Sequence, residues 1–484
     1  MPERLVLSID VGSSSIRGSL VDEHLSIVSV WSVPLRVNTP VPNFVDYDPS
    51  AITTAVEQVC DAALATARPA AISITNQRAT TAMWRSDGEP VGPVLSWMDL
   101  RTAPMCLALA EKGISIAPNQ SATKAAFLAT LVPEEERHDL RFGTLDTFIL
   151  WHLTGGQVHA TDHTNAAMTG FIQDVNLTWD GRVLAELGLP ETILPEIRRS
   201  AGDFGHALGG IPVLGMAGDQ QASLLGLGCL AEGQAKITFG TGTMLDQVSG
   251  AQPPPNTKRQ PHGTFPIVAY SQDASVVWGS EAIALATGSM MNWLMSTGIL
   301  RSLEDANRAD ADFRSRSELR VVPANVGLGT PEWDFGARSV ITGLDLATTS
   351  ADIVAATLDA IAQIAADLVE ATASDSGREI GRLRVDGAMC RNDAFVQMVA
   401  DACGIEVELF ETTEASTLGA ALLAHAQLVA AGLAEYAASL SRSPRVVSPR
   451  TPRDGSLWRS RREAWHNAKE LSRESIPELS AVHF

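Results

Sequence analysis

Two acidic residues stand where short apolar segments give way to polar turns. Asp10 follows the segment LVLSI and opens the turn DVGSSS, and Asp219 lies in the segment GMAGDQQ. A carboxylate at a strand end beside a nucleotide can hold Mg²⁺, directly or through water. Two such carboxylates facing one cleft divide naturally into a group that positions the metal and a general base. We therefore predict a metal site and a proton-accepting site at these two strand ends.

Two tight turns have the composition of phosphate-binding loops. One is DVGSSS at residues 10–15, and the other is FGTGT at residues 239–243. Glycine lets the backbone approach an anion closely, and the N–H groups and hydroxyls of such turns can cradle a phosphate. Glycine and serine are also ordinary turn residues, so either segment alone could be a plain hairpin turn. Two such turns, one in each half of the chain, favour a phosphate gripped from both sides.

Three better-known signatures are missing or out of place. No lysine directly follows a glycine, which excludes a P-loop of the GxxxxGK[ST] type. The segment GLGCLA at 226–231 fits the loose dinucleotide pattern, but we predict that it ends a helix instead of following a strand. His159 and His163 are spaced like helical zinc ligands, yet they lie in a predicted loop without an apparent third ligand. We expect neither dinucleotide nor zinc binding.

The elements that carry these residues are predicted to form two similar units. Each unit begins with antiparallel strands joined by tight turns and continues with alternating strands and helices, a weak internal repeat. This order predicts a mixed-sheet α/β architecture in two lobes, at 1–230 and 231–484, with the site in the cleft between them. The predicted strands cover 5–9, 16–21, 27–33, 71–75, 236–239, 244–248 and 383–385, and the predicted helices cover 51–67, 221–228, 351–373, 394–402 and 417–429.

Composition narrows the classes of partner. The chain has 484 residues and 36 Lys+Arg against 56 Asp+Glu, a net charge of −20 that would repel a phosphate backbone or an anionic membrane. The five cysteines are scattered without a CxxC pair, and we find neither a signal peptide nor an apolar run of about 20 residues. We expect a cytoplasmic protein that binds neither nucleic acid nor membrane. Only the tail from Ser441 is basic, and Leu457, Trp458 and Trp465 predict a terminal amphipathic helix docked on the acidic body.

The chain resembles the FGGY carbohydrate kinases in seven motifs that appear in the family's order. Matches to the family run from about residue 5 to residue 425, and the motifs are most similar to those of the family's glycerol kinases. The motifs are DVGSSSIRG at Asp10, NQRAT at Asn76, SWMDLRT at Ser96, TDHTNAAMTGF at Thr161, GDQQAS at Gly218, FGTGTM at Phe239 and VDGAMCRND at Val385.

This resemblance implies a fold, a reaction and a set of site residues. The fold would be the two-lobed ATPase fold of actin and hexokinase, built from duplicated ribonuclease H-like domains. ATP–Mg²⁺ would lie in the cleft and phosphorylate a terminal hydroxyl of a small polyol or sugar. Asp219 would be the general base and a second candidate metal ligand, and Asp10 would position the metal. The nucleotide-binding positions would be Gly12, Ser13, Ser14, Ser15, Arg17, Thr241, Gly242, Gly288, Asn292, Gly387, Ala388 and Asn392, with Ala388 replacing a usual glycine and crowding the adenosine pocket.

The substrate end matches the glycerol kinases only in part. Arg78, Trp97, Asp219 and Gln220 match residues that contact glycerol there, whereas Ala79, Asn119 and Met244 replace Glu, Tyr and Phe. A lost charge-assisted hydrogen bond costs roughly 1.5–3 kcal/mol, or about 10- to 150-fold in affinity. The replacements predict a larger pocket and a substrate of four or five carbons, with glycerol as the alternative.

The sequence alone leaves structural roles open for these matched residues. It also leaves open a different class of function. Trp97 could be a core aromatic, Arg78 a surface ion-pair partner, and Gln220 or Asp219 a helix cap. The same fold also serves chaperones and actin-like filaments, in which ATP hydrolysis drives conformational change. A chaperone would need a peptide-binding domain after the second lobe, and a sensor would have little reason to keep the catalytic set. A homodimer or homotetramer is possible.

Overall fold

Two large mixed sheets organise the chain. The computed structural model describes residues 4–307, 318–410, 412, 414–440, 443–450 and 453–482. The first sheet has the strand order β11-β12-β5-β1-β2-β3, and the second has the order β15-β16-β14-β13-β19-β20-β21. The strands are β1 Val6–Val11, β2 Ser15–Val21, β3 Ile27–Pro34, β4 Asp46–Tyr47, β5 Ala71–Asn76, β6 Thr81–Arg85, β7 Val94–Leu95, β8 Leu140–Thr144, β9 Ala160–Asp162, β10 Glu196–Arg198, β11 His206–Ala207, β12 Ile211–Gly218, β13 Ala235–Phe239, β14 Thr243–Gly250, β15 Phe265–Gln272, β16 Ser275–Ala284, β17 Arg320–Val322, β18 Val340–Thr342, β19 Arg382–Asp386, β20 Glu406–Leu409 and β21 Arg445–Val447.

Helices connect and cover these strands. The longest, α10, begins with a capping box in which Thr349 and Asp352 satisfy each other's backbone N–H groups. The helices are α1 Pro49–Thr66, α2 Ala103–Ala110, α3 Ala122–Ala129, α4 Leu145–Leu153, α5 His163–Ala167, α6 Gly181–Leu187, α7 Asp219–Gly226, α8 Gly288–Ser296, α9 Leu303–Ala306, α10 Ser350–Ser376, α11 Asp393–Cys403, α12 Ala415–Leu428, α13 Leu433–Ser439, α14 Ser456–Glu470 and α15 Pro477–Ser480.

Both lobes repeat one topology. In the first, β1, β2 and β3 form the predicted antiparallel meander, and β5 then adds parallel to β1 and β12 parallel to β5. In the second, β13, β14 and β16 are antiparallel, and β19 adds parallel to β13 and β20 parallel to β19. The internal repeat predicted from the sequence is therefore confirmed. Parallel addition also brings the carboxyl ends of β1, β5 and β12 to one edge of the first sheet, which is where the site residues lie.

One helix from late in the chain packs on the first sheet. Helix α12 contacts β1, β5 and β12, and it crosses α7 very closely. Two glycines make this crossing possible, because a Cβ at Gly419 would lie 1.7 Å from the carbonyl oxygen of Ala222, and one at Gly226 would lie 1.9 Å from that of Ala415. Leu418 and Leu422 of α12 share a core with Val6 of β1. The two lobes are thus joined by a packed helix pair.

Some predicted details are wrong. The segment HATDH is not a loop throughout, because Ala160–Asp162 form strand β9 and His163 begins α5, which Asp162 caps. Its histidines bond to backbone, His159 Nε2 with Phe142 O and His163 Nδ1 with Arg198 O. The predicted helix at 221–228 begins two residues earlier, at Asp219, and ends two residues earlier, at Gly226. GLGCLA therefore starts at a helix end and does not follow a strand, as predicted.

The predicted terminal helix is present as α14, with one exception in its apolar face. Trp465 is fully buried, and Trp458 donates from Nε1 to Ala402 O, but Leu457 is 51% exposed. Arg462 and Lys469 hold the helix through the buried carboxylate of Asp367, at 2.5 and 2.7 Å. Charge pairing, which helical spacing alone does not reveal, therefore helps to dock this helix together with apolar packing.

No single helix among the described residues is long and apolar enough to cross a membrane. The pair α12 and α13 meets the length and composition test only when taken together, and the two helices are bent by 107°. Most of α12 is buried against the first sheet.

Candidate active site

The two predicted carboxylates meet at one edge of the first sheet. Asp10 lies near the end of β1, and Asp219 is the first residue of α7, directly after β12. Because β1, β5 and β12 run in parallel, their ends adjoin, with Thr75 of β5 beside Asp10 and Asn76 beside Gly218. Gly218, not Asp219, is the N-cap of α7, so capping does not account for Asp219.

Burial changes the proton affinity of both groups. It raises the pKa of Asp10 to about 7, an effect that Arg17 opposes and the charge of Asp219 adds to. Burial also raises the pKa of Asp219, while Arg78 and the backbone N–H of Gln220 pull it down. The Asp10 carboxylate makes no hydrogen bond or ion pair with any described residue, so its oxygens are available to a hard cation such as Mg²⁺. The donor set fits a magnesium site.

Arg78 is the cation next to the candidate base. Its side chain is only 11% exposed, with Nη2 2.7 Å from Glu281 Oε2 and Nε 3.7 Å from Asp219 Oδ1. The alternative of a surface ion-pair partner is therefore wrong. Its third nitrogen, Nη1, is buried and has no partner among the described residues. A buried guanidinium N–H without an acceptor costs folding free energy, so we interpret this atom as a donor to a ligand oxygen.

The other substrate-end residues in the first lobe gather around the segment that follows Arg78. Ala79 is buried, with a positive φ of 59°, and its carbonyl accepts from Ser121 Oγ. Thr80 Oγ1 accepts from the backbone N–H of Trp97 at 3.2 Å. Trp97 is half-buried and outside every apolar cluster of the described residues, which does not suit a core aromatic. The turn thus links the Trp97 strand end to the loop that carries Asn119.

Asn119 is exposed, on a loop that a buried lysine fixes. Lys124 Nζ donates to the carbonyls of Pro118 and Gln120, the residues on either side of Asn119, at 2.6 and 3.0 Å. Asp99 and Arg101 follow Trp97 in the chain, and Arg101 is ion-paired with both Asp99 and Asp46. These charges therefore support the Trp97 segment and do not face a ligand. The predicted specificity residue is therefore held on a stiff backbone.

The second lobe contributes a row of polar side chains opposite Asp219. Met244 lies on β14, on the same face as Asp246, because side chains alternate along a strand. Gln220 Oε1 accepts from Lys236 Nζ of β13 at 2.6 Å. Three charged side chains of this region were not predicted from the sequence, namely Lys236, Asp246 and Glu281. Their one signal is that each is the only charged residue in its strand.

The first turn directs backbone N–H groups away from the body of its lobe. The carbonyls of Gly12, Ser13 and Ser14 accept from Gln77 Nε2, Tyr47 Oη and the Leu35 N–H. In a planar trans peptide the C=O and the following N–H point in opposite directions. The N–H groups of Ser13, Ser14 and Ser15 therefore point outward, as a phosphate-binding turn requires.

The second turn is built in the same manner. The N-terminus of α8 donates to its carbonyls, with Gly288 N–H bonded to Gly240 O and Ser289 N–H to Thr241 O. The N–H groups of Thr241 and Gly242 thus point away from α8. Close packing explains the glycines, since a Cβ at Gly288 would lie 2.3 Å from Gly240 O. Gly387 has φ +102°, and its Cβ would lie 2.3 Å from Phe239 O.

The remaining nucleotide-site predictions have mixed surroundings. Ala388 begins a short 3₁₀ turn and Asn292 lies on α8, and both are exposed. Asn392 is buried, caps α11 and donates to Ala306 O, so its amide is already engaged. Arg17 is paired with Glu414 at 2.6 Å, a partner that sequence analysis did not identify.

The chain is similar to known carbohydrate kinases over most of its length. Residues 5–226 match the model of the FGGY family of carbohydrate kinases, N-terminal domain, and residues 235–428 match that of its C-terminal domain. The chain is 36% identical over 506 residues to a glycerol kinase of Halorhodospira halophila, covering 98% of each chain. It is 34% identical over 493 residues to a glycerol kinase of Thermus brockianus, covering 96% of this chain and 99% of the relative.

Solved structures give the same match in three dimensions. The Plasmodium falciparum glycerol kinase with ADP superposes with a TM-score of 0.88 at 26% identity, covering 97% of this chain and 98% of the other. A xylulose kinase from Lactobacillus acidophilus superposes with a TM-score of 0.83 at 20% identity, covering 97% of both chains, which shows a shared fold.

Proposed function

Because the chain belongs to the FGGY family of carbohydrate kinases, we propose that it transfers the γ-phosphoryl group of ATP to a terminal hydroxyl of a polyol or ketose of four or five carbons. The observation that carries this proposal is the unpartnered, buried Nη1 of Arg78 beside Asp219. A hydroxyl bound there would lie between a donor and a general base. We expect a cytoplasmic location, which the five unpaired cysteine thiols support.

Asp219 would accept the proton of the attacking hydroxyl. The oxygen then forms a bond to the γ-phosphorus as the bond between phosphorus and the bridging oxygen of ADP breaks. A carboxylate of raised pKa is a better base than an ordinary surface aspartate, and burial supplies that shift here. Arg78 keeps the carboxylate oriented, and its charge limits how far the pKa rises.

Asp10 would hold Mg²⁺, with Asp219 as a second candidate ligand. When bound, the ion would supply positive charge that neutralises the phosphate oxygens. The outward N–H groups of Ser13, Ser14, Thr241 and Gly242 would grip the phosphates from both lobes. The residues at the adenosine end would be Gly288, Asn292, Gly387, Ala388 and Asn392.

Three side chains favour a substrate longer than glycerol. Ala79, Asn119 and Met244 are shorter or more flexible than the Glu, Tyr and Phe of the glycerol kinases. Asn119 also brings an amide on a fixed loop, which can bond an additional hydroxyl. The second candidate is glycerol itself, which the similarity to proteins named glycerol kinase over nearly the whole chain favours.

A substrate panel separates these candidates. ADP release with Mg-ATP is measured against glycerol, erythritol, threitol, xylitol, arabitol, xylulose and ribulose. We expect the highest kcat/KM for one four- or five-carbon compound. A highest value for glycerol would leave the kinase assignment in place but refute the enlarged pocket. ADP release that depends on no added compound would instead indicate an ATPase of the chaperone or filament type.

A further inference from the structure

Lys236 is a fully buried lysine in the sheet that faces the catalytic carboxylate. Its Nζ lies 2.6 Å from Gln220 Oε1, 2.9 Å from Thr238 Oγ1 and 2.8 Å from Asp246 Oδ2. An ammonium group has three N–H donors and no acceptor. Lys236 thus donates two hydrogen bonds and forms an ion pair with Asp246, and one of the hydrogen bonds holds Gln220, a predicted substrate-binding residue.

Lys236, Asp246 and Glu281 form a charge ladder across three neighbouring antiparallel strands. Lys236 is directly opposite Asp246, and Asp246 is directly opposite Glu281. Each side chain is at most 1% exposed. The ladder continues into the first lobe through Glu281 Oε2, which lies 2.7 Å from Arg78 Nη2. Buried charges persist only when they are paired, and here two cations face two carboxylates.

The ladder determines which atoms the substrate meets. Because Lys236 can only donate, the Gln220 atom beside Nζ must be the carbonyl oxygen, whichever way an amide might otherwise be turned. The Gln220 Nε2 is then left as a donor, and it has no partner among the described residues. Arg78 is held in the same way, with Nη2 on Glu281 and Nη1 unpartnered.

We infer that the charge ladder fixes Arg78 and Gln220 as a pair of hydrogen-bond donors, so that the site selects substrates by oxygen atoms that accept. This inference rests on the proposed function and names its specificity. Hydroxyl and ketone oxygens accept from both donors, while the reacting hydroxyl donates to Asp219. A substrate with a deoxy carbon at this position leaves a donor of Arg78 or Gln220 unpaired. A substrate with an ammonium group there places its own N–H donors against those of the protein. Lys236 is a positioning residue, because it acts through Gln220.

A double-mutant cycle tests this action. Lys236→Met and Gln220→Leu should each raise the substrate KM about 2- to 12-fold, the value of one lost hydrogen bond, with a smaller effect on kcat. The double variant should have the KM of Gln220→Leu alone, since the lysine has nothing left to orient. If the effects of the two single variants on KM multiply in the double variant, the inference is overturned. If the wild type phosphorylates no compound of the panel, the proposed function itself fails, which is a different result.

Thermal unfolding checks the ladder without substrate. Lys236→Met strands the Asp246 carboxylate and should lower Tm, whereas Lys236→Met combined with Asp246→Leu replaces the buried pair by apolar groups and should recover most of the loss. If Lys236→Met folds poorly, the variant that combines Lys236→Met with Asp246→Leu can replace it in the kinetic test. A double variant no more stable than Lys236→Met would show that the two residues are not coupled, and would overturn the ladder.

Discussion

The crossing of α7 and α12 gives a prediction whose size follows from distances. In Gly419→Ala the new Cβ would lie 1.7 Å from Ala222 O and 2.8 Å from the backbone nitrogen of Gly226, and real Cβ contacts are essentially never shorter than 3.0 Å. The helices must separate by at least 1.3 Å along the shorter contact, the difference between 3.0 and 1.7 Å. Overpacking of this kind costs about 1–3 kcal/mol, which the helix propensity of alanine offsets by at most about 1 kcal/mol.

Urea unfolding and steady-state kinetics measure the outcome. We expect Gly419→Ala to lower the midpoint of unfolding and also kcat, because the same helix pair joins the two lobes between which we propose that ATP binds. The matched control is Gly381→Ala, where a Cβ meets nothing within 4 Å, and which should change neither quantity. A Gly419→Ala protein with the stability and turnover of the wild type would refute the close crossing.

Three further perturbations address the site. Asp219→Asn should retain ATP binding by calorimetry and lose at least about 100-fold in kcat, the usual minimum for a positioned base, and near-normal turnover would remove Asp219 from the mechanism. Burial raises the pKa of Glu281 to about 7, above its unfolded value, so the stability it contributes is present at low pH and lost as pH rises through about 7. Glu281→Gln should therefore show a smaller fall in unfolding free energy between pH 5.5 and pH 8 than the wild type, and equal slopes would contradict this assignment. Glu414→Gln should release Arg17 for phosphate and lower the KM for ATP by up to about fivefold, whereas a higher KM would mean that Glu414 aims Arg17 at the phosphate.

Elements with strong local signals were predictable from the sequence. Alternating apolar residues and tight turns define the meander β1–β3, and the run of apolar residues at helical spacing defines α10, whose predicted ends at 351 and 373 lie within three residues of those observed. The two turns that we propose as phosphate-binding also carry a local signal, because their glycines and hydroxyls are adjacent in sequence. These features depend on neighbours in the chain.

Contacts between distant segments were not predictable in the same way. The charge ladder joins residues 78, 236, 246 and 281, and only strand register places them side by side. Short elements such as β9 and α5 were missed because five residues of HATDH carry too little periodicity, and Asp162 caps α5 through contacts that a loop could equally make. The pairing of Arg17 with Glu414 spans almost 400 positions and has no signature in either segment.

The late position of helix α12 in the chain affects how the first lobe folds during synthesis. The last strand of the first sheet, β12, is complete once Gly218 has left the ribosome, but the helix that covers Val6 and its neighbours ends only at Leu428. Until then an apolar sheet face stays open to water, a state prone to aggregation. The lobe synthesised first is thus finished by a segment synthesised near the end. A fragment cut at residue 230 should be insoluble unless a peptide carrying α12 is supplied in trans.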